Sequence, residues 1–391
     1  MLLIQNGLLY TMEEKRPFYG DLLIKDGKIA KIAEKIETNS NIEIIDAKGK
    51  LVLPGFIDAH SHLGIAEEKI SVLGDSCNEG TNPLTPTMRA VDAINPMDSA
   101  FHNALAVGIT GAMIGPGSAN AIGGQFAFVK TYGRCMDNMV VLAPAAIKIA
   151  FGENPITNYG TNGNMPSTRM GIAALIREEL YKAKQYFMKE KDGNCKSVTD
   201  IQEKDFYLES YRELFEGKIP LKAHAHRTDD IFTAIRIAKE FGLGLTIDHC
   251  TEGHLIAEEI AKEGFPAIVG PSLSSRSKYE VRELDFKTPG ILQKAGMTVA
   301  ITCDHPVTRI QYLPLCAGLA AKEGLGEWNA LQAITIDAAR ICRVDDRVGS
   351  LKDGKDADIV IYDGSPLEIK GNAVMTIING EIVWKSEKHI K

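Results

Sequence analysis

Apolar and polar positions alternate in short runs at both ends of the chain, whereas longer apolar runs recur between helical patterns through its middle. The first fifty residues contain "LLIQNGLLY", "GDLLIKDGKIAKIAEKI" and "NIEIIDAKGKLVLPG", period-two stretches separated by Asn-Gly and Asp-Gly. That pattern predicts strands joined by tight turns. The last forty-five repeat it in "DADIVIYDG" and "VMTIINGEIVW". Neither piece has enough strands to bury a sheet face alone, so the two are expected to pack together as one small β-sandwich of residues 1–52 and 347–391.

Between them, in 53–346, eight apolar runs read as buried strands: "LPGFIDAH", "GITGAMIG", "QFAFVK", "AIKIAF", "PLKAHAH", "GLTIDHC", "FPAIVGPS" and "MTVAITCDH". Helical periodicity appears in "TRMGIAALIREELYKAKQYFMKE", "DDIFTAIRIAKEF" and "LIAEEIAKEG". Eight βα units predict an α/β fold, a (β/α)8 TIM-type barrel. An open doubly wound sheet competes, but no Gly-rich nucleotide fingerprint follows a strand, and polar residues collect at strand C-termini, where barrels build active sites.

Composition narrows the partners. A chain of 391 residues with 45% hydrophobic and 24% charged content can bury a large core. A net charge of -7 without a basic block gives no footprint for nucleic acid, and no basic amphipathic helix suggests a membrane surface. A small molecule is the expected partner. The N-terminus lacks the features of a signal peptide, and no apolar run reaches the length of about eighteen residues that a membrane span needs, so a cytoplasmic protein is expected. The seven cysteines are odd in number and lack CxxC spacing, as expected of reduced, buried thiols.

Chemistry concentrates in the histidines. Of nine, seven fall at or just after predicted strand ends: His60 and His62, His224 and His226, His249 and His254, and His305 beside Asp304. On a strand, His224 and His226 share a face. Both could hold a metal, one could hold metal and the other substrate, or they could form a polar strand end in water. Imidazoles and a carboxylate converging from several strands suit a zinc-type N/O site. By alternation, Cys250 and Cys303 face away from His249 and Asp304 as packing residues, and Asp248 is likewise expected to point outward. Lys148, inside an apolar strand, needs a partner or a modification.

"PGFIDAHSH" resembles the first-strand metal motif of the amidohydrolase superfamily, and "RVGSLKDGKDADIVIYDG" with "NGLLYTM" and "GDLLIKDGKIAKI" is similar to its flanking sandwich. "IKI" around Lys148 resembles the fourth-strand run of the prolidase and imidazolonepropionase-like branch. The resemblance covers essentially the whole chain. It implies that His60 and His62 bind the more buried metal, that Asp304 contacts it and shuttles protons, and that His224 and His249 bind the more exposed one. His226 is then left for substrate. It further implies zinc, as one or two divalent ions, and two if Lys148 is carboxylated, since a carbamate can bridge ions about 3.5 to 4 Å apart. Arg89, Gln125 with Gly123 and Gly124, Glu153, Asn154 and Arg276 are expected in loops after strands, where Arg89, Gln125 and Arg276 would contact substrate.

The implied function is metal-dependent hydrolysis of an amide-type C–N bond in a dipeptide, N-acyl amino acid or cyclic amide. One alternative is a heterocycle deaminase. Such relatives commonly place a glutamate three residues after the strand-five histidine, where this chain has Arg227. Another is an inactive relative serving binding or assembly, which would characteristically have lost ligands that are all present here. Barrels of this kind often form homo-oligomers, but no interface is read from the sequence.

Overall fold

The computed structural model describes residues 1–37, 42–68, 72–191 and 204–387. Five strands open the chain: β1 (Leu2–Leu9), β2 (Phe18–Lys25), β3 (Lys28–Ala33), β4 (Glu43–Asp46) and β5 (Leu51–Pro54). Eight follow in the middle: β6 (Phe56–Ser61), β7 (Ile109–Ile114), β8 (Ile122–Lys130), β9 (Val140–Ala150), β10 (Leu221–Ala225), β11 (Leu245–His249), β12 (Ala267–Val269) and β13 (Val299–Ile301). Three close it: β14 (Ile359–Asp363), β15 (Asn372–Ile378) and β16 (Glu381–Lys385).

The two ends of the chain meet as expected, but edge to edge. Strands β16, β15, β14, β5, β1, β2 and β3 are hydrogen-bonded in that order, with β4 also on β1, so the hydrogen bonding joins both termini in one sheet. Two hairpins have the turn chemistry that their sequences predict. Asp26-Gly27 and Asn379-Gly380 all have positive φ, between 51° and 77°, the backbone a two-residue type I′ turn requires. Asn6-Gly7 does something else. It lies inside β1, where the register with β2 shifts between Ile4 and Gly7, making an irregularity in a strand instead of a turn.

The middle strands form a second eight-stranded sheet in chain order, β6 to β13, whose ends approach each other. His62 N–H donates to the His305 carbonyl at 3.0 Å across that seam. All eight apolar runs are strands, yet they are not eight βα units. Strand β8 runs antiparallel to both β7 and β9. Its connections, residues 115–121 and 131–139, are shorter than the dozen or so residues a parallel crossover needs. A reversed strand is the consequence, and its N-terminal end lies beside the C-terminal ends of its neighbours.

Outward residues of the barrel pack under the helices. Ile147, Ile149, Leu221, Ala223 and Ile247 share one core with Ile172, Ile176 and Leu180 of the helix Arg169–Lys191 and with Ile231, Ala234, Ile235 and Ala238 of the helix Thr228–Phe241. Each isoleucine and leucine among them contributes about 1.5–3 kcal/mol by leaving water. Arg227 takes the N-cap position of the second helix without a side-chain cap, and the half-buried Thr228 N–H is satisfied by the Glu252 carboxylate at 2.9 Å. Among the described residues no helix is long and apolar enough to cross a membrane. Six cysteines are free thiols, five of them buried. Cys195 lies outside the described residues.

Candidate metal centre at the strand ends

The barrel interior is polar in two tiers. Strand alternation points Asp58, His60 and His62 inward from β6 and the residue after it, Lys222, His224 and His226 from β10 and its end, and Lys148 from β9. All seven are buried. In the deeper tier, Lys222 Nζ donates to the Ala59 carbonyl at 2.9 Å and pairs with Asp248 at 3.0 Å. Thr302 Oγ1 donates to Asp58 at 2.6 Å, and burial pushes the Asp58 carboxyl up to about 7.

Asp248 corrects the expectation that it faces outward. It is fully buried inside the barrel, where its carboxylate lies 2.6 Å from His60 Nδ1 and accepts from Thr246 Oγ1 at 2.8 Å. Strict alternation breaks here because His249 has φ 71° and Cys250 φ 47°. This left-handed backbone lets His249 follow Asp248 inward instead of opposing it. Cys250 and Cys303 do pack outward, in the cores beneath the helices.

Above this tier, five histidines and Asp304 converge. The relevant nitrogens and oxygen form two groups, His60 with His62 and Asp304, and His224 with His226 and His249, each within 4.8 Å of one another. The hydrogen bonds fix what these rings offer. His62 Nδ1 lies 2.7 Å from the Gly115 carbonyl and His249 Nδ1 2.7 Å from the Gly270 carbonyl. Carbonyls accept only, as does the Asp248 carboxylate beside His60. In all three rings Nδ1 therefore carries the proton, and a neutral ring presents an Nε2 lone pair to the centre. Desolvation, reinforced by neighbouring positive charge, pushes His60, His224 and His249 well below the ordinary imidazole value and His226 down to about 4.

Lone pairs that face one another need a cation. His62 Nε2 lies 3.2 Å and His60 Nε2 3.5 Å from Asp304 Oδ1. His249 Nε2 and both nitrogens of His224 are buried without a hydrogen-bond partner. This N/O donor set fits a divalent metal ion. Lys148 Nζ lies 3.3 Å from His60 Nε2, and desolvation lowers its amine to about 8. Burial raises the Asp304 carboxyl, but His62, His249 and Lys148 outweigh it and hold the group below its ordinary value.

A cavity of about 800 Å³ opens over the cluster, lined by His62, His224, His226 and Asp304 with Glu153, Asn154 and Lys278 among others. Glu153 and Asn154 thus lie where the sequence placed them. Arg89, Gln125 and Arg276 do not line it. Exposed Arg89 is paired with Asp92 at 2.8 Å, Gln125 sits within β8 and donates to the Pro86 carbonyl, and Arg276 donates to the Leu284 carbonyl. His254 and His305 end on Thr288 and the Ile310 N–H, away from the cluster. Exposed His102 is on a helix, as expected. The geometry does not divide His224 from His226 into metal and substrate roles, because each offers a nitrogen to one group with His249, all within 4.8 Å of one another. Sequence reasoning missed Lys222, Asp248 and buried Glu280. Lys222 was visible in the alternation of "LKAHAH", whereas Glu280 sits in a loop without periodic signal.

The strand ends of this barrel gather five imidazoles, an aspartate and a lysine, a donor set that fits divalent metal ions. A model of the amidohydrolase family matches residues 290–384. The chain is 41% identical to a crystal structure of an amidohydrolase from Thermotoga maritima MSB8, covering 99% of this chain and 100% of that one with a TM-score of 0.95. The chain belongs to the amidohydrolase superfamily and is a hydrolase. It is also similar to the amidohydrolase tasK of Hapsidospora irregularis, 27% identical over 92% of this chain but spanning only 39% of that longer protein. A dihydroorotase of Aquifex aeolicus is 24% identical over 98% of this chain and 99% of its own length.

Proposed function

We propose that the protein hydrolyses an amide-type C–N bond of a small molecule at this cavity, with cyclic amides ahead of N-acyl amino acids and dipeptides. The observation that carries the reading is the set of three imidazoles whose Nδ1 atoms are tied to acceptor-only oxygens, leaving buried Nε2 lone pairs aimed at one another and at Asp304. Similarity to a dihydroorotase over nearly the whole chain favours the cyclic amide.

In this reading His60, His62 and Asp304 hold one divalent ion, and His224, His249 and His226 are donors for a second. Zinc suits this N/O set. When bound, such an ion polarises the scissile carbonyl and acidifies water. Asp304, ionised and beside His62, accepts the proton of the attacking water and returns it to the departing nitrogen. Asp248 holds His60 by its Nδ1–H, and Lys222 pairs with Asp248 from the other side. Buried Lys148 is proposed to carry a carbamate: its neutral amine adds to carbon dioxide, loses a proton, and becomes an anion among histidines. Lys278 and Asn154 at the rim orient the rest of the substrate. Arg227 pairs with Asp229 at 3.0 Å and does not line the cavity, so it gives no proton shuttle for a deaminase. A cytoplasmic location belongs to the same reading.

The test is hydrolysis of a panel of cyclic amides, N-acyl amino acids and dipeptides by the zinc-loaded protein, before and after chelation. Turnover of at least one class that chelation abolishes and zinc restores supports the reading. Turnover indifferent to chelation contradicts it.

A further inference from the structure

Glu280 is a buried acid beside the second histidine group. It sits in a single helical turn, Tyr279–Val281, on the long loop after β12, and is fully buried. One carboxylate oxygen is accounted for. Oε2 accepts the Glu153 N–H at 2.8 Å, and the Glu280 N–H donates back to Glu153 Oε1 at 3.1 Å. This reciprocal pair fixes the side chain in direction. The other oxygen, Oε1, is buried without a hydrogen-bond partner and lies 3.8 Å from His224 Nε2 and 3.9 Å from His226 Nε2.

A buried carboxylate oxygen with nothing to accept is expensive, and neutral imidazoles do not relieve it. Lys278 comes within 3.7 Å of Oε1, but its ammonium is hydrogen-bonded to Asn154 Oδ1 and its side chain is 40% exposed. A shared cation relieves all three groups together. Ligand atoms about 2.0–2.2 Å from a tetrahedral ion lie about 3.3–3.6 Å apart, so gaps of 3.8 and 3.9 Å need to close by about 0.2–0.6 Å.

The chain also makes room for this carboxylate. Gly152, just after β9, has φ 87°, and a Cβ there would lie 2.4 Å from Glu280 Oε2. Any other residue would be strained by its backbone angle and would displace the carboxylate. The seat of Glu280 is therefore built from two loops, Gly152–Glu153 on one and Tyr279–Val281 on the other.

We propose that Glu280 is a ligand of the second ion, the one held by His224, His226 and His249. That position then has three imidazoles and one carboxylate, and His226 belongs to the metal and not to the substrate. The inference rests on the reading of the strand-end cluster as a metal centre, and goes beyond it in the residue it adds.

The experiment compares zinc and cobalt binding by the metal-free wild-type protein, Glu280→Gln and Glu280→Ala, using mass-spectrometric metal analysis and cobalt visible absorption. Wild type should bind two equivalents. Both variants should keep the first equivalent, which also reports that they are folded, and bind the second at least tenfold more weakly, with loss of the cobalt bands that grow in with it. Gly152→Ala, which displaces the carboxylate without removing it, should weaken the second equivalent in the same direction. Two equivalents of unchanged affinity in both Glu280 variants would overturn the proposal and leave the metal centre standing. A single wild-type equivalent unaffected by Glu280→Gln would overturn it too. A wild-type protein that binds no metal would overturn both the proposal and the reading beneath it.

Discussion

Two buried clusters of charge sit at opposite ends of the barrel, and they differ in one respect. At the bottom, Lys130 at the end of the reversed strand β8 pairs with Asp356 at 2.9 Å and Asp358 at 2.7 Å and donates to Asn379 Oδ1 at 2.9 Å. Lys28 and Arg347 also contact Asp356, and the Asn379 N–H donates to Asp358. Cations and carboxylates there are matched, and they tie the terminal sheet to the barrel. At the top, imidazole nitrogens and carboxylate oxygens face one another with lone pairs and no protons between them. A cluster of paired charges holds a fold together, whereas lone pairs facing one another are set up to receive a ligand.

Substitutions should separate the two by what they damage. The largest effect is expected at the top. Asp304→Asn should lower kcat by about 10²- to 10⁴-fold on whichever amide substrate the wild type accepts, while the urea midpoint of the metal-free protein stays level or rises. A variant that loses activity and stability together would make Asp304 a structural residue. At the bottom the pattern reverses. Lys130→Met leaves two buried carboxylates without their shared cation and should destabilise the protein by about 3–5 kcal/mol in urea unfolding. A loss below about 1 kcal/mol would show that Lys28 and Arg347 suffice.

Smaller effects sharpen the contrast. Asp248→Asn exchanges the carboxylate behind His60 for an amide and should weaken metal affinity by about 10- to 100-fold in a chelator competition. Unchanged affinity would mean that Lys222 is its only important partner. The smallest effect is a pH dependence. Burial raises the Asp356 carboxyl, but Lys28, Lys130 and Arg347 outweigh it and lower it to about 2. A depressed carboxyl stabilises the fold above its unfolded value, near 4, and loses that contribution as pH falls toward 2. Stability between pH 4 and 2 should therefore drop more steeply in wild type than in Asp356→Asn. Parallel curves would remove Asp356 from the acid response.

The same contrast explains what could be read without a structure. All eight barrel strands were legible because buried strands leave continuous apolar runs, and the Asp26-Gly27 and Asn379-Gly380 hairpins because few residues accept positive φ. His60, His62, His224, His249 and Asp304 were legible because strand ends carry them. The direction of β8 was written in the lengths of its two connections, which the apolar pattern does not report. Asp248 was misplaced because one left-handed residue, His249, breaks the rule of alternation. Arg89, Gln125 and Arg276 were chosen for lying near strand ends in sequence, and sequence proximity does not say that Arg89 has a closer partner in Asp92. Glu280 was missed because its position depends on Gly152, far away in the chain, and no local pattern records such a pairing.

If the strand-end donors form a metal centre, zinc supplied to the protein must sit among them. Anomalous diffraction at the zinc absorption edge, from crystals of the zinc-loaded protein, tests it most directly. A peak is expected about 2.0–2.2 Å from His60 Nε2, His62 Nε2 and Asp304. Fully loaded crystals with no peak among these residues, or with zinc only at surface sites, would contradict it.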